Sequence, residues 1–239
     1  MTGHFRSRSG SEPALLLPAR EGYDAVAGRF GDWYWTDFWS ANEKPLVERW
    51  LKTLPVGTGL DAGTGLGPYR PDIATLGHRC VGMDLSIRML QAGNCQSRGT
   101  WCVQADVRFL PCRPHAFDWI LSTRVLSNIR CAEDVFREFA CVLKPGAECL
   151  ITDVHAEHPY TEMSVPIDNR VVHIETYKHT KERIIKAASA HVGFAVLEYA
   201  EYRLQDLSSQ PPQDRFRKLY TRPDLPLFYM IRLQRLPRR

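Results

Sequence analysis

The chain has 239 residues, 44% hydrophobic and 24% charged, which suits one α/β domain carrying a helical cap and able to build a core without metals or disulfide staples. No run of eighteen apolar residues is present, so no membrane span is expected, and the apolar patch 14–17 is too short for a signal-peptide core. The net charge of +4 belongs to the tail: residues 211–239 hold eight Lys or Arg against two acids, leaving twenty-three bases and twenty-five acids elsewhere, a distribution that disfavours a nucleic-acid enzyme.

In chain order, residues 1–20 are expected to be a flexible N-terminus. Residues 21–54 read as a helical cap crowded with Phe30, Trp33, Tyr34, Trp35, Phe38 and Trp39. A cofactor-binding core follows over 55–154, then a lid insertion over 155–178 without secondary structure of its own, then a helix and the last two strands over 179–239. Predicted strands cover 59–62, 79–84, 100–105, 117–122, 148–154, 195–202 and 227–233. Ser86 can cap the helix through Met89 and Leu90, because its hydroxyl can accept an orphan amide hydrogen. Phe136, Phe139, Ala140 and Leu143 fall on one helical face that Lys144-Pro145-Gly146 terminates. Thr180 opens a further helix with Ile184 and Ile185 inward and Gly193 suited to its end. Alternating strands and helices imply a parallel sheet with right-handed crossovers. The proline-rich stretch 208–226 favours an antiparallel final strand instead. The expected architecture is therefore an α/β fold with a seven-stranded, mostly parallel, Rossmann-like sheet and helices on both faces.

Seven cysteines, at 80, 95, 102, 112, 131, 141 and 149, form no C-x-x-C pair, and the odd count argues against a disulfide framework and for a reducing, cytoplasmic setting. No cluster of metal ligands is evident.

The densest chemical signal is LDAGTGLG, 60–67. Glycines at 63 and 65 let the backbone turn tightly and approach a ligand, and Gly67 permits close packing of the next helix. Asp84, at the next strand's end, is placed to accept from ribose hydroxyls, and Asp106, one strand further, from an adenine amino group. Asp61 sits inside the first strand's end, an odd place for a charge unless it meets a cation or backbone amides. A nicotinamide dinucleotide enzyme would share the glycines and Asp84, but its third glycine would fall at Pro68. An ammonium group suits Asp61 better than a phosphate does.

LDAGTGLG, VGMD, QADVRFLP, FDWILSTRVLSNI and VLKPGAECLITDV resemble, in order and spacing, the motifs of class I S-adenosylmethionine-dependent methyltransferases, most closely the group with the ubiquinone and menaquinone biosynthesis methylases. The resemblance covers roughly 23–154 and is weaker beyond. It implies S-adenosyl-L-methionine as cofactor, with Asp61, Gly63, Gly65 and Gly67 around the methionine part, Asp84 on the ribose, Met83 and Val107 flanking the adenine, Asp106 on its amino group, and Thr123 facing the methyl donor. Thr64, Leu66, Ala147 and the stretch Pro68-Tyr69-Arg70 depart from the usual pattern.

In-line methyl transfer chiefly needs orientation of the acceptor, and a base only if the acceptor is protonated. His155, just past the fifth strand, is the expected catalytic base, with Asp153, His158 and Tyr160 as lesser candidates. The expected partner is a small-molecule substrate, methylated on N, O or C; a homodimer stays open. An RNA or protein methyltransferase using the basic tail, and a non-catalytic cofactor-binding regulator, are the competing readings.

Overall fold

The computed structural model describes residues 15–93, 100–159, 163–167, 170–189, 193–214 and 216–237. Strand β1 (Leu15–Leu17) and helices α1 (Ala19–Val26), α2 (Tyr34–Asn42) and α3 (Lys44–Leu51) come first. The core continues through β2 (Thr58–Ala62), α4 (Arg70–Thr75), β3 (Arg79–Asp84), α5 (Ile87–Ala92), β4 (Thr100–Gln104), β5 (Phe117–Thr123), α6 (Ala132–Val142) and β6 (Leu143–Val154). Strands β7 (Met163–Ile167) and β8 (Arg170–Ile174) precede α7 (Lys181–Ser189), β9 (Phe194–Arg203), α8 (Arg217–Thr221) and β10 (Pro226–Arg235).

Seven strands form one sheet in the order β4-β3-β2-β5-β6-β10-β9. All neighbouring pairs are parallel except those made by β10, which runs antiparallel to both β6 and β9. The period-two alternation of strand side chains divides the core into two layers. Ile120, Cys149, Ile151, Tyr229 and Ile231 face α6 and α7, while Trp119, Leu121, Leu150 and Met230 face α3 and α4. All seven expected strands are present, shifted by a few residues at most, with β6 starting earliest, at Leu143. Ser86 caps α5 by accepting from the Met89 amide at 3.0 Å.

The flanking segments depart from expectation. Residues 155–178 are not a plain loop: β7 pairs antiparallel with β8, and β1 pairs parallel with β8 on its other side. Proline at 166 argues against a central strand, but β7 lies at the edge of this small sheet, where a missing donor costs no ladder bond. Residues 15–20 are likewise built into strand and helix, because Val26, Val165, Val172 and Ile174 bury one another; residues 1–14 lie outside the described set. Helix α3 belongs to the core rather than to a cap, since Val47, Trp50 and Leu51 pack under the sheet. The basic tail is partly internal. Arg235 is buried and donates to the Ala140 carbonyl at 2.8 Å, and Arg232 is paired with Glu148 and Glu198. Five described cysteines are free thiols, while Cys102 is disulfide-bonded, a departure from the all-thiol expectation at that position.

Candidate cofactor and active site

The carboxyl ends of the parallel strands converge on the turn after β2. Gly63, Gly65 and Gly67 all adopt left-handed backbone, with φ of 78°, 55° and 74°. The first is compulsory on two counts: its φ disfavours any side chain, and a methyl group there would come 2.1 Å from Val125 Cγ2. The amides of Gly63 and Thr64 both donate to the Met83 carbonyl, at 2.7 and 2.9 Å, which ties the turn to β3. On the far rim the buried Arg70 donates to the carbonyls of Leu66 and Gly93, at 2.5 and 2.7 Å. The unusual Pro68-Tyr69-Arg70 stretch therefore braces the turn from behind.

Three acids stand on successive strand ends. Asp84 accepts from the Gly65 amide at 2.8 Å and the Ser86 amide at 2.9 Å, and burial raises its pKa against these bonds. Asp61 is 1% exposed; Oδ2 accepts from the Thr64 hydroxyl at 2.6 Å, while Oδ1 is buried with no partner. Burial pushes its pKa up to about 6, opposed by Thr64 and more weakly by Arg70 and Arg124. Asp106 is gripped by Arg108, whose Nε and Nη2 donate at 2.9 and 2.6 Å. Burial works against its ionised form, but the Arg108 bonds prevail and lower its pKa.

These groups border a cavity of about 820 Å³, in the upper range for small-ligand sites. Gly63, Gly65, Asp84, Asp106, Val107, Thr123 and His155 line it. Asp61, Gly67 and Met83 do not. Met83 is buried in the sheet core, because strand alternation sends it opposite to Asp84, and Leu85 takes the place expected for it on the wall. His155 reaches the wall, yet its Nδ1 accepts from the Glu157 amide at 3.1 Å and its Nε2 stands 3.7 Å from Glu201. Burial lowers its pKa, with Glu201 acting against that shift. Asp153 is buried behind the wall with both oxygens satisfied by the Ser127 and Val154 amides. His158 lines the cavity with its ring against Trp35, and Tyr160 lies outside the described residues.

Segments before and after the core complete the wall and its backing. Tyr23 of α1 enters the cavity with its hydroxyl 3.1 Å from Met163 of β7. Asp24 accepts from the Ser86 hydroxyl at 2.5 Å, so α1 roofs the Asp84 end. Trp33, Trp35, Trp39 and Phe216 supply aromatic walls. Glu43, fully buried between α2 and α3, accepts from Arg124, Tyr69 and, at 2.5 Å, Thr152.

Residues 60–151 match the methyltransferase domain family. Phosphoethanolamine N-methyltransferase 1 of Zea mays is 29% identical over 198 residues, covering 79% of this chain and 38% of that protein. Demethylmenaquinone methyltransferase of Corynebacterium urealyticum is 32% identical over 107 residues, 45% of this chain and 46% of that one. The chain thus spans less than half the length of these curated relatives. An S-adenosylmethionine-dependent methyltransferase structure from Mesorhizobium loti superposes with a TM-score of 0.59 at 22% identity, over 80% of this chain and 96% of that one, which speaks for the fold. Motifs in order, sheet order with one antiparallel strand, and the domain matched over residues 60–151 together make this chain similar to the class I S-adenosylmethionine-dependent methyltransferases.

Proposed function

We propose that the protein binds S-adenosylmethionine and transfers its methyl group to a small-molecule acceptor. The observation that carries this reading is a single cavity joining the left-handed glycine turn and Asp84 to an aromatic chamber. The residues fit the cofactor on the protein's own terms. A side chain at Gly63 would fill the cradle, and the orphaned Oδ1 of Asp61 lacks the cationic or donor partner that a buried carboxylate oxygen requires. In this reading Gly63 and Gly65 border the methionine part, Asp61 and Gly67 stand directly behind that turn, and Asp84 holds the ribose. Val107 and Leu85 flank the adenine, Asp106 accepts from its amino group, and Thr123 borders the methyl donor. The cofactor, when bound, supplies a methyl group on a sulfonium centre with a good leaving group.

The chain's own contribution is placement and exclusion of water. Fixing donor and acceptor in line can remove about 7–11 kcal/mol from such a barrier. Trp33, Trp35, Trp39 and the α1 roof close the chamber for that purpose. A proton taken by His155 forms no part of this proposal. With Nδ1 accepting a backbone hydrogen, the ring carries its own proton on Nε2 toward Glu201, so neither nitrogen offers a lone pair to the cavity. The small-molecule reading is supported by the aromatic walls and by relatives named for phosphoethanolamine and demethylmenaquinone substrates. Internal use of Arg232 and Arg235 weakens the case for a nucleic-acid tail.

Calorimetric titration tests the binding half: uptake of S-adenosylhomocysteine with no uptake of a nicotinamide dinucleotide is expected, and the reverse pattern overturns the reading. Incubation with methyl-labelled cofactor and size-fractionated cell extract tests the transfer half. Label is expected in a low-molecular-weight product, and label confined to RNA or protein would move the assignment to a macromolecular acceptor.

A further inference from the structure

Directly after Thr123, at the cavity end of β5, Arg124 holds a left-handed backbone with φ of 58°. Such a backbone is unfavourable for a residue with a side chain and persists where its surroundings over-determine it. Here they do. The Arg124 amide donates to the Thr152 carbonyl at 2.7 Å, and Nη1 is ion-paired with the fully buried Glu43. The guanidinium carbon lies 5.1 Å from the Trp39 ring centre. Glu43 is itself fixed by Thr152 and Tyr69. One edge and one face of the guanidinium are therefore locked. Among the described residues no carboxylate or carbonyl accepts from its Nε or Nη2, and the side chain stays 24% exposed on the cavity wall.

We infer that Arg124 is a specificity-determining residue that reads an oxyanion, a carboxylate or a phosphate, on the methyl acceptor. The inference rests on the methyltransferase reading and deepens it by naming the acceptor's class: an apolar body carrying an anionic group. A guanidinium fork matches both oxyanions, and one already held in place loses little freedom on binding. The rest of the wall has the same bias. Arg20, Arg130 and Lys178 border the cavity without an ion pair among the described residues. Of the wall's acids, Asp106 is already taken by Arg108, which leaves Asp84 and Glu175. Aromatic walls beside this positive surface suit an anion with an apolar body and disfavour a cationic one.

Protein saturated with S-adenosylhomocysteine is titrated calorimetrically with benzoate, phenyl phosphate and neutral benzamide. At least one anion is expected to bind tenfold or more tightly than benzamide, and the ratio of the two anions identifies the oxyanion preferred. Arg124→Gly, which removes the guanidinium and suits the left-handed backbone, is expected to abolish that preference while S-adenosylhomocysteine affinity stays within threefold. Because this variant leaves Glu43 unpaired, the double variant Glu43→Gln/Arg124→Gly is measured beside it, with circular dichroism to verify folding. Anions that bind no better than benzamide, or a preference that survives in the folded variants, overturn the inference. A tenfold loss of S-adenosylhomocysteine affinity in both variants overturns it too, because the guanidinium then reads the cofactor's own carboxylate. Folded wild-type protein that takes up no S-adenosylhomocysteine instead sinks the reading beneath it.

Discussion

Asp61 carries a carboxylate into the end of a central strand, where one oxygen receives the Thr64 hydroxyl and the other has no partner. Its pKa rises to about 6 from an ordinary value of 3.8, so the fold penalises the ionised form. The contribution of this group to stability is then fullest below about pH 4 and is lost as pH rises through 6. Under the proposed function cofactor binding has the opposite sign, because a cationic ammonium near Asp61 would need the carboxylate ionised. S-adenosylhomocysteine affinity is expected to fall as pH drops from about 7.5 to 5.5. Asp61→Asn should reduce that slope, weaken binding at pH 7.5 by about 10–100-fold, and leave the thermal midpoint there no lower. Asp84, shifted in the same direction, accounts for slope that remains. Calorimetry across pH and thermal melts check both parts. Gly63→Ala combines a left-handed backbone with a clash on Val125 and should cost about 2–4 kcal/mol, read by denaturant unfolding. Both residues were legible from sequence because few residue types serve there. Glu43 and Arg124 were not, since their meaning arises only when chain positions 81 apart meet. Met83 does not reach the wall for a smaller reason: strand alternation turns it away from Asp84 into the sheet core, while Leu85, just past the end of β3, lines the cavity.

At the scale of elements, β10 shows how a late strand completes the sheet. It inserts between β6 and β9, buries Tyr229, Ile231 and Leu233 in one layer and Met230 in the other, and ends at Arg235. That arginine satisfies the Ala140 carbonyl at the end of α6 and the Leu236 carbonyl. Arg235→Ala should cost about 2–3 kcal/mol, lowering the thermal midpoint by roughly 4–12 °C. Cofactor-product affinity should stay unchanged, because this end of β10 lies away from the site, where Phe228 pairs with Val154. A melt and a binding titration on one sample separate the two effects. The apolar runs that announced β5 and β10 were strong because both faces of these strands are buried. The small sheet β1-β8-β7 was not announced, since its strands are short, one contains Pro166, and their burial depends on α1 from elsewhere in the chain.

For the molecule as a whole, the cavity is closed by segments from both ends of the core: α1 and α2 before it, β7 and Phe216 after it. A ligand bound there bridges those segments and should stabilise the entire fold. At a hundred times its dissociation constant, S-adenosylhomocysteine is expected to add about 2.7 kcal/mol, a rise of roughly 5–11 °C in midpoint. Scanning calorimetry with and without ligand checks this, and an unmoved midpoint counts against a cofactor site. Periodicity and turn chemistry in the sequence alone determined the seven main strands, the glycine turn and the acids beside it, because each depends on neighbours within a few residues. Only the tertiary structure decided which side chains share the cavity, that His155 has both ring nitrogens turned to other groups, and that Glu43 fixes Arg124 at the wall. Those outcomes depend on burial and on contacts between distant segments, and a linear pattern of residue types carries no distances across the fold.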